Sequence, residues 1–359
     1  MSAPLPTGST IGILGGGQLG RMLSVAASRL GLRCHVFEPG ANPPAGQVAH
    51  AVTTAAYEDA AALDAFARSV DVITYEFENI PTAALDLLEG LRPIRPGREA
   101  LRISQDRLTE KSFLRDLGLQ TAPFAAVDSA EDLSRALDQI GAPAILKTRR
   151  FGYDGKGQAR LSAPGDAAEA LAALQGAPAI LEGFVDFSCE ISVIAARGLD
   201  GRVAAFDPGQ NVHRDGILRT TTVPAAVPNR VLTDAVLTAG RILNALDYVG
   251  VLGVEFFVSP GGLIVNEIAP RVHNSGHWTQ NGCLIDQFEQ HIRAVAGWPL
   301  GDGKRHADIR MENLIGDDMD RVPGLSADPR CALHLYGKSE VKAGRKMGHA
   351  NFLTPAASG

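Results

Sequence analysis

The chain has 359 residues, 45% of them hydrophobic, and 34 Lys and Arg against 40 Asp and Glu give it a net charge of −6. This is an ordinary globular composition, and the length predicts two or three domains. The acidic balance argues against a nucleic-acid partner, which needs a basic face, and no apolar stretch approaches the roughly 20 residues of a membrane span.

Met1 to Thr10 lacks the basic and apolar regions of a signal peptide, and Cys34, Cys189, Cys283 and Cys331 are isolated. Both features predict a cytoplasmic protein with reduced thiols. Thr10 to Leu14 reads as a strand, a glycine turn follows, and Gln18 to Leu30 reads as a helix stopped by Gly31. Strands at Arg33 to Phe37 and Asp71 to Tyr75, with helical patterning over Ala60 to Ser69, predict a parallel doubly wound sheet. Pro93 and Pro96 punctuate its end, and Glu99 to Leu117 reads as the helical link into the next domain. Strand, helix and strand segments then run from Thr121 through Lys147, with a helix near Asp166 to Gln175 and several strands over Ala179 to Val223. A helix near Leu232 to Asp247 leads into a hairpin, and Leu284 to Ala296 reads as an amphipathic helix. Residues 307 to 353 carry short strand-like runs. The predicted bounds are an N-terminal doubly wound domain over 1–98, a central α+β domain over 99–300 and a small C-terminal lobe over 301–359.

The hairpin carries the most informative residues. Glu255 and Glu267 interrupt two apolar, β-branched runs, and Ser259-Pro260-Gly261-Gly262 between them reads as the turn. Antiparallel pairing would bring the two acids together, where unpaired carboxylates are costly. Oxygen ligands suit Mg²⁺, and Asn266 adds a neutral oxygen. A solvated strand face, or pairing with lysine, is the alternative. Lys147 ends a short strand and precedes a loop with Gly152, Gly155 and Gly157, which suits phosphate although the Walker spacing is absent. Ala179 to Val185 ends a strand in Glu182, followed by Gly183, Phe184 and Val185, where a purine could stack; Glu190 suits ribose hydroxyls. Gly15-Gly16-Gly17-Gln18-Leu19-Gly20, with Glu38 beyond it, also satisfies a dinucleotide fingerprint and keeps a nicotinamide-dependent dehydrogenase open. The same turn suits a single phosphate or ribonucleotide.

Lys147, its glycine loop, Glu182, Glu190, Glu255 and Asn266-Glu267 occur in the order found in ATP-grasp ligases. Tyr153-Asp154-Gly155-Lys156-Gly157-Gln158, Tyr75-Glu76-Phe77-Glu78-Asn79, the stretch from Asn266 through Arg271 to His277, and Gly344-Arg345-Lys346-Met347-Gly348-His349 sharpen the likeness. Together they resemble the 5-(carboxyamino)imidazole ribonucleotide synthetase family over about residues 9 to 353. The resemblance implies an ATP-grasp fold and ATP-dependent carboxylation of 5-aminoimidazole ribonucleotide by bicarbonate through carboxyphosphate, in a homodimer. It implies Mg²⁺ on Glu255 and Glu267. It implies ATP against Arg107, Lys147, residues 152–158, 182–185, Glu190, His213, Asn266 and Glu267. It implies the ribonucleotide against Gln18, Leu19, Glu78, Tyr153, Lys338, Arg345 and Lys346. Bicarbonate falls to Arg271, His273 and Asn274, with Asp154 also in the catalytic set. A sister ligase or transformylase acting on another ribonucleotide amine is the nearest alternative, and an ATP-binding regulatory module is the non-enzyme one.

Overall fold

The computed structural model describes residues 3–152 and 156–355. Its first sheet is parallel, in the order β3-β2-β1-β4, from β1 (Thr10–Leu14), β2 (Arg33–Phe37), β3 (Ala51–Thr53) and β4 (Val72–Tyr75). All four residues of β4 are buried, as expected of a strand covered on both faces. The helix Gln18–Arg29 buries Leu23, Ala26 and Ala27 against Ile292, Val295 and Ala296 of the helix Gln287–Ala296. Arg29 reinforces that seam with Asp286 at 3.2 Å and Glu289 at 3.1 Å. The first domain is thereby seated on the body that carries the hairpin.

The second sheet is antiparallel, order β5-β8-β6-β7, from β5 (Phe124–Val127), β6 (Ala144–Thr148), β7 (Gln158–Leu161) and β8 (Ala179–Gly183). Leu133, Ala136 and Ala170 from its two helices close its core. The third sheet has nine strands: β9 (Cys189–Arg197), β10 (Val203–Ala205), β11 (Gly209–Arg214), β12 (Ile217–Val223), β13 (Gly250–Ser259), β14 (Gly262–Ala269), β15 (Ala307–Ile315), β16 (Cys331–Leu335) and β17 (Lys346–Pro355). Its order is β14-β13-β9-β11-β12-β15-β17-β16, with β10 on β9. The C-terminal strands therefore extend the sheet that bears the two glutamates, because β15 pairs with β12. The helix Asn229–Ala245 covers the β9–β13 end with Ala235, Ala239, Ile242 and Leu243.

Two helix starts fall inside spans that the sequence marks as helical. Glu99 to Leu117 is two helices, Arg98–Ser104 and Arg107–Asp116, because the Asp106 carboxylate accepts from Leu108 N and Thr109 N and starts a new helix. The helix expected from Leu284 begins at Gln287, capped by Asp286 through Phe288 N and Glu289 N, and Leu284 is left 83% exposed. Among the described residues no helix is long and apolar enough to cross a membrane.

Candidate active site

The hairpin forms as its pattern predicts, with Ser259 paired to Gly262 across Pro260-Gly261. Regular pairing runs from the turn to Phe256 opposite Val265, and a β-bulge at Asn266 then sets Glu267, rather than Asn266, opposite Glu255. Glu255 is nearly buried and Glu267 opens into a cavity of about 660 Å³. Arg107 reaches Glu267 Oε2 at 3.1 Å and the Gly152 carbonyl at 3.2 Å. Burial alone would raise the Glu267 carboxyl, but Arg107 and then Lys147 outweigh it and hold the group below its ordinary value. Glu255 moves the other way, raised by burial and then by the Glu267 charge. Two like-charged oxygen donors facing each other, one of them driven toward protonation, form a donor set that a hard dication relieves.

The second sheet supplies the opposite wall. Lys147 at the end of β6 lies 3.0 Å from Glu182 on β8. Gly157 has φ +68°, and a Cβ there would sit 2.6 Å from Thr148 Oγ1, so the loop returns to β7 only with glycine at that position. Gly152, Lys156 and Gln158 line the cavity; the predicted Tyr153, Asp154 and Gly155 lie outside the described residues. Glu182, Gly183, Phe184, Val185 and Gly157 border the strands without lining the cavity. From the third sheet, Glu190 on β9 and His213 on β11 enter it. His213 Nδ1 is 2.9 Å from Glu190 Oε2, a charge contact whose direction is poor for a hydrogen bond. Glu190 outweighs burial and raises the His213 imidazole above its ordinary value.

The segment after β14 turns back into the same space. Arg271 pairs with Glu78 at 2.5 Å, and its buried Nε has no hydrogen-bond partner among the described residues. His273 Nε2 lies 3.3 Å from Glu255 and its Nδ1 2.8 Å from Ser275 Oγ. Burial, and then Arg271, push its pKa well below the ordinary value, so the ring is neutral. Gln287 fixes the His273 backbone, accepting from its N–H at 2.9 Å and donating to its carbonyl at 2.8 Å. Asn274 exchanges amide hydrogen bonds with Asn313 at 2.9 and 2.8 Å.

The glycine turn has a different occupant from either predicted ligand. Gly20 N donates to Glu76 at 2.7 Å, Gly17 N donates to the same carboxylate, and Gly16 N donates to Glu38 at 2.7 Å. A Cβ at Gly15 would stand 2.5 Å from Glu76 Cγ, so the glycines serve this close approach. The amides that a dinucleotide pyrophosphate would need are already engaged, which removes the physical basis of the dehydrogenase reading. Gln18, Leu19 and Glu78 do line the cavity, and Lys346 enters from β17. Lys338 and Arg345 do not line it: Lys338 Nζ donates to the Lys346 carbonyl at 2.7 Å and Arg345 to the Glu340 carbonyl at 3.1 Å.

Residues 112–288 match the ATP-grasp domain, 8–105 the ribonucleotide synthetase preATP-grasp domain, and 310–358 the phosphoribosylaminoimidazole carboxylase C-terminal domain. The N5-carboxyaminoimidazole ribonucleotide synthase of Brucella melitensis is 56% identical over 354 residues, covering 98% of each chain. The chain belongs to the N5-carboxyaminoimidazole ribonucleotide synthase family. An ADP complex of an N5-carboxyaminoimidazole ribonucleotide synthetase superposes with a TM-score of 0.96 at 40% identity, covering 99% of this chain and 94% of the other. The Aspergillus clavatus N5-carboxyaminoimidazole synthase in complex with ADP and 5-aminoimidazole ribonucleotide gives 0.92 at 31% identity, with 97% and 94% covered.

Several residues of this synthase-family site escape motif reading. Phe187 and Phe257 stack at 4.6 Å and form an apolar shelf in the cavity, yet as isolated aromatics they carry no spacing signal. Glu110 is buried and accepts from Ile268 N, beside Glu267, and burial and then the Glu267 charge push it up to about 8. The sign of its effect on stability follows. Between pH 4.5, its ordinary value, and about 8 the folded protein keeps a proton that the unfolded chain has lost, so stability falls as pH rises. The raised Glu255 and His213 act in the same sense. The neutral buried His273, His277, His291 and His349 oppose this only below their ordinary 6.5. The unliganded protein is therefore expected to lose about 1–2 kcal/mol between pH 6.5 and 8. Thermal melts across that range check it: Glu110→Gln should flatten the decline, and a Tm that rises in this window would contradict it.

Proposed function

We propose that the chain uses ATP to activate bicarbonate and transfers the carboxyl group to the exocyclic amine of 5-aminoimidazole ribonucleotide, yielding N5-carboxyaminoimidazole ribonucleotide, ADP and phosphate. The observation that carries this reading is the convergence of Lys147, the Glu255–Glu267 pair, Arg271, His273 and the Gln18–Glu78 wall on one cavity.

Bicarbonate is a poor acyl donor because hydroxide would have to leave. Attack of a bicarbonate oxygen on the γ-phosphorus breaks the β,γ phosphoanhydride and makes carboxyphosphate, whose leaving group is phosphate. Nitrogen–carbon bond formation then expels phosphate, and the amine gives up a proton. The protein's part is positioning and charge neutralisation. Lys147, Arg107, Gly152, Lys156 and Gln158 face the nucleotide phosphates. Glu190 and His213 take the ribose side, and Phe187 on Phe257 gives the base a surface. Glu255 and Glu267, with Asn266, would hold Mg²⁺, which supplies neutralising charge for the phosphates. Arg271 offers its unpartnered Nε, with the neutral His273 and Asn274 beside it, as donors for the bicarbonate oxyanion. Gln18, Leu19 and Glu78 form the ribonucleotide wall, and Lys346, with Lys338 and Arg345 behind it, gives the 5′-phosphate a basic neighbourhood.

Phosphate release from ATP tests this directly. Release should require both 5-aminoimidazole ribonucleotide and bicarbonate, and labelled bicarbonate should enter an acid-labile product. Equal release with another ribonucleotide amine, such as phosphoribosylamine or glycinamide ribonucleotide, would point to a sister ligase instead.

A further inference from the structure

Glu182 is the buried centre of a three-charge cluster in which one cation has no role in the reading above. Its Oε2 receives two ammonium groups, Lys147 Nζ at 3.0 Å and Lys111 Nζ at 3.4 Å. Its Oε1 is buried with no hydrogen-bond partner among the described residues. Lys111 comes from the helix Arg107–Asp116, has only 2% of its side chain exposed, and donates to the Asn266 carbonyl at 2.7 Å. It therefore bridges β8 of the second sheet to β14 of the third. Lys147 lines the cavity and Lys111 does not.

The charge balance gives the arrangement a purpose. Glu182 with Lys147 alone is a neutral pair, and pulling Lys147 toward a phosphate would strand a buried carboxylate. With Lys111 the cluster carries one surplus positive charge, which an arriving anion can use at no such cost. Arg107 does not fill this place: its guanidinium contacts Glu267 and the Gly152 carbonyl rather than Glu182. Consistent with this, burial alone would raise Glu182, but Lys111 first and then Lys147 outweigh it.

We propose that Lys111 is a positioning residue for nucleotide binding, the standing counter-ion of Glu182 that frees Lys147 to turn from that carboxylate to the nucleotide phosphate. The inference rests on the reading of Lys147 as a phosphate ligand, and its test separates the two. ADP affinity is measured with Mg²⁺ by calorimetry for the unmodified protein, Lys111→Met, Glu182→Gln, the double variant and Lys147→Met, with melts reporting folding. Lys111→Met should weaken ADP about 10- to 100-fold. Adding Glu182→Gln should bring the affinity back to within a few-fold of Glu182→Gln alone, because no buried charge then holds Lys147. If Lys111→Met does not fold, the comparison of the double variant with Glu182→Gln still decides: truncating Lys111 there should cost little. Unchanged affinity in Lys111→Met, or a double variant as weak as Lys111→Met, overturns the counter-ion role. Unchanged affinity in Lys147→Met instead overturns the phosphate assignment, and this inference with it.

Discussion

Glu267→Gln is expected to abolish turnover almost completely while the protein stays folded. Glu267 stands in register with Glu255 and receives Arg107 at 3.1 Å, so a neutral amide removes half of the charge that would hold Mg²⁺. Electrostatic stabilisation by a bound dication is worth several kcal/mol in phosphoryl transfer, so kcat should fall by roughly 10³ or more. Stability should fall slightly or stay level: Arg107 and then Lys147 hold the Glu267 carboxyl below its ordinary value, so the fold favours that charge, while relief of the repulsion on Glu255 offsets part of the loss. Steady-state phosphate release and a thermal melt on the same preparation check both halves. Retained activity at ordinary Mg²⁺ would show that these carboxylates are not the metal site.

Arg271→Met should reduce kcat by about 10²- to 10³-fold, the usual cost of losing one preorganised oxyanion donor. Its Nε is a buried donor with no acceptor among the described residues, while the guanidinium is oriented by Glu78 at 2.5 Å and the Val272 carbonyl at 3.1 Å. The substitution also strips Glu78 of its partner, so KM for the ribonucleotide should rise. Adding Glu78→Gln should restore any lost thermal stability without restoring kcat, which distinguishes chemistry from scaffolding. ADP affinity should change by no more than a few-fold. An equal collapse of nucleotide binding would move Arg271 from the bicarbonate site to the nucleotide site.

The parts of this site that the sequence makes legible are those set by short-range rules. Alternating apolar residues around Ser259 to Gly262 define a hairpin that brings the two acids to the same end of adjacent strands, while the bulge at Asn266 that sets Glu267 directly opposite Glu255 has no signal in the pattern. The strand before Lys147 and the glycine at 157 are legible for the same reason. What stays hidden depends on distant elements meeting. The turn at Gly15 to Gly20 looks like a phosphate cradle because the filling carboxylate, Glu76, arrives from another strand end. Lys111 and Glu110 look like ordinary helix residues until that helix is laid along β14. Gln287, fourteen residues from His273, fixes the backbone of a proposed bicarbonate ligand with no motif to announce it. The helix starts at Asp106 and Asp286 stay hidden for a simpler reason: apolar residues on the N-terminal side of each aspartate continue the spacing of the helix that follows, and only the fold shows each carboxylate turning back to cap it.

The most direct test of the central claim is the fate of oxygen. With bicarbonate labelled in all three oxygens by ¹⁸O, and ATP and 5-aminoimidazole ribonucleotide unlabelled, the released phosphate is analysed by mass spectrometry. If bicarbonate attacks the γ-phosphorus, one bicarbonate oxygen stays with phosphorus, and each phosphate should carry a single ¹⁸O. Phosphate free of label, formed at the same rate, would mean that water and not bicarbonate is the nucleophile, and would contradict the account.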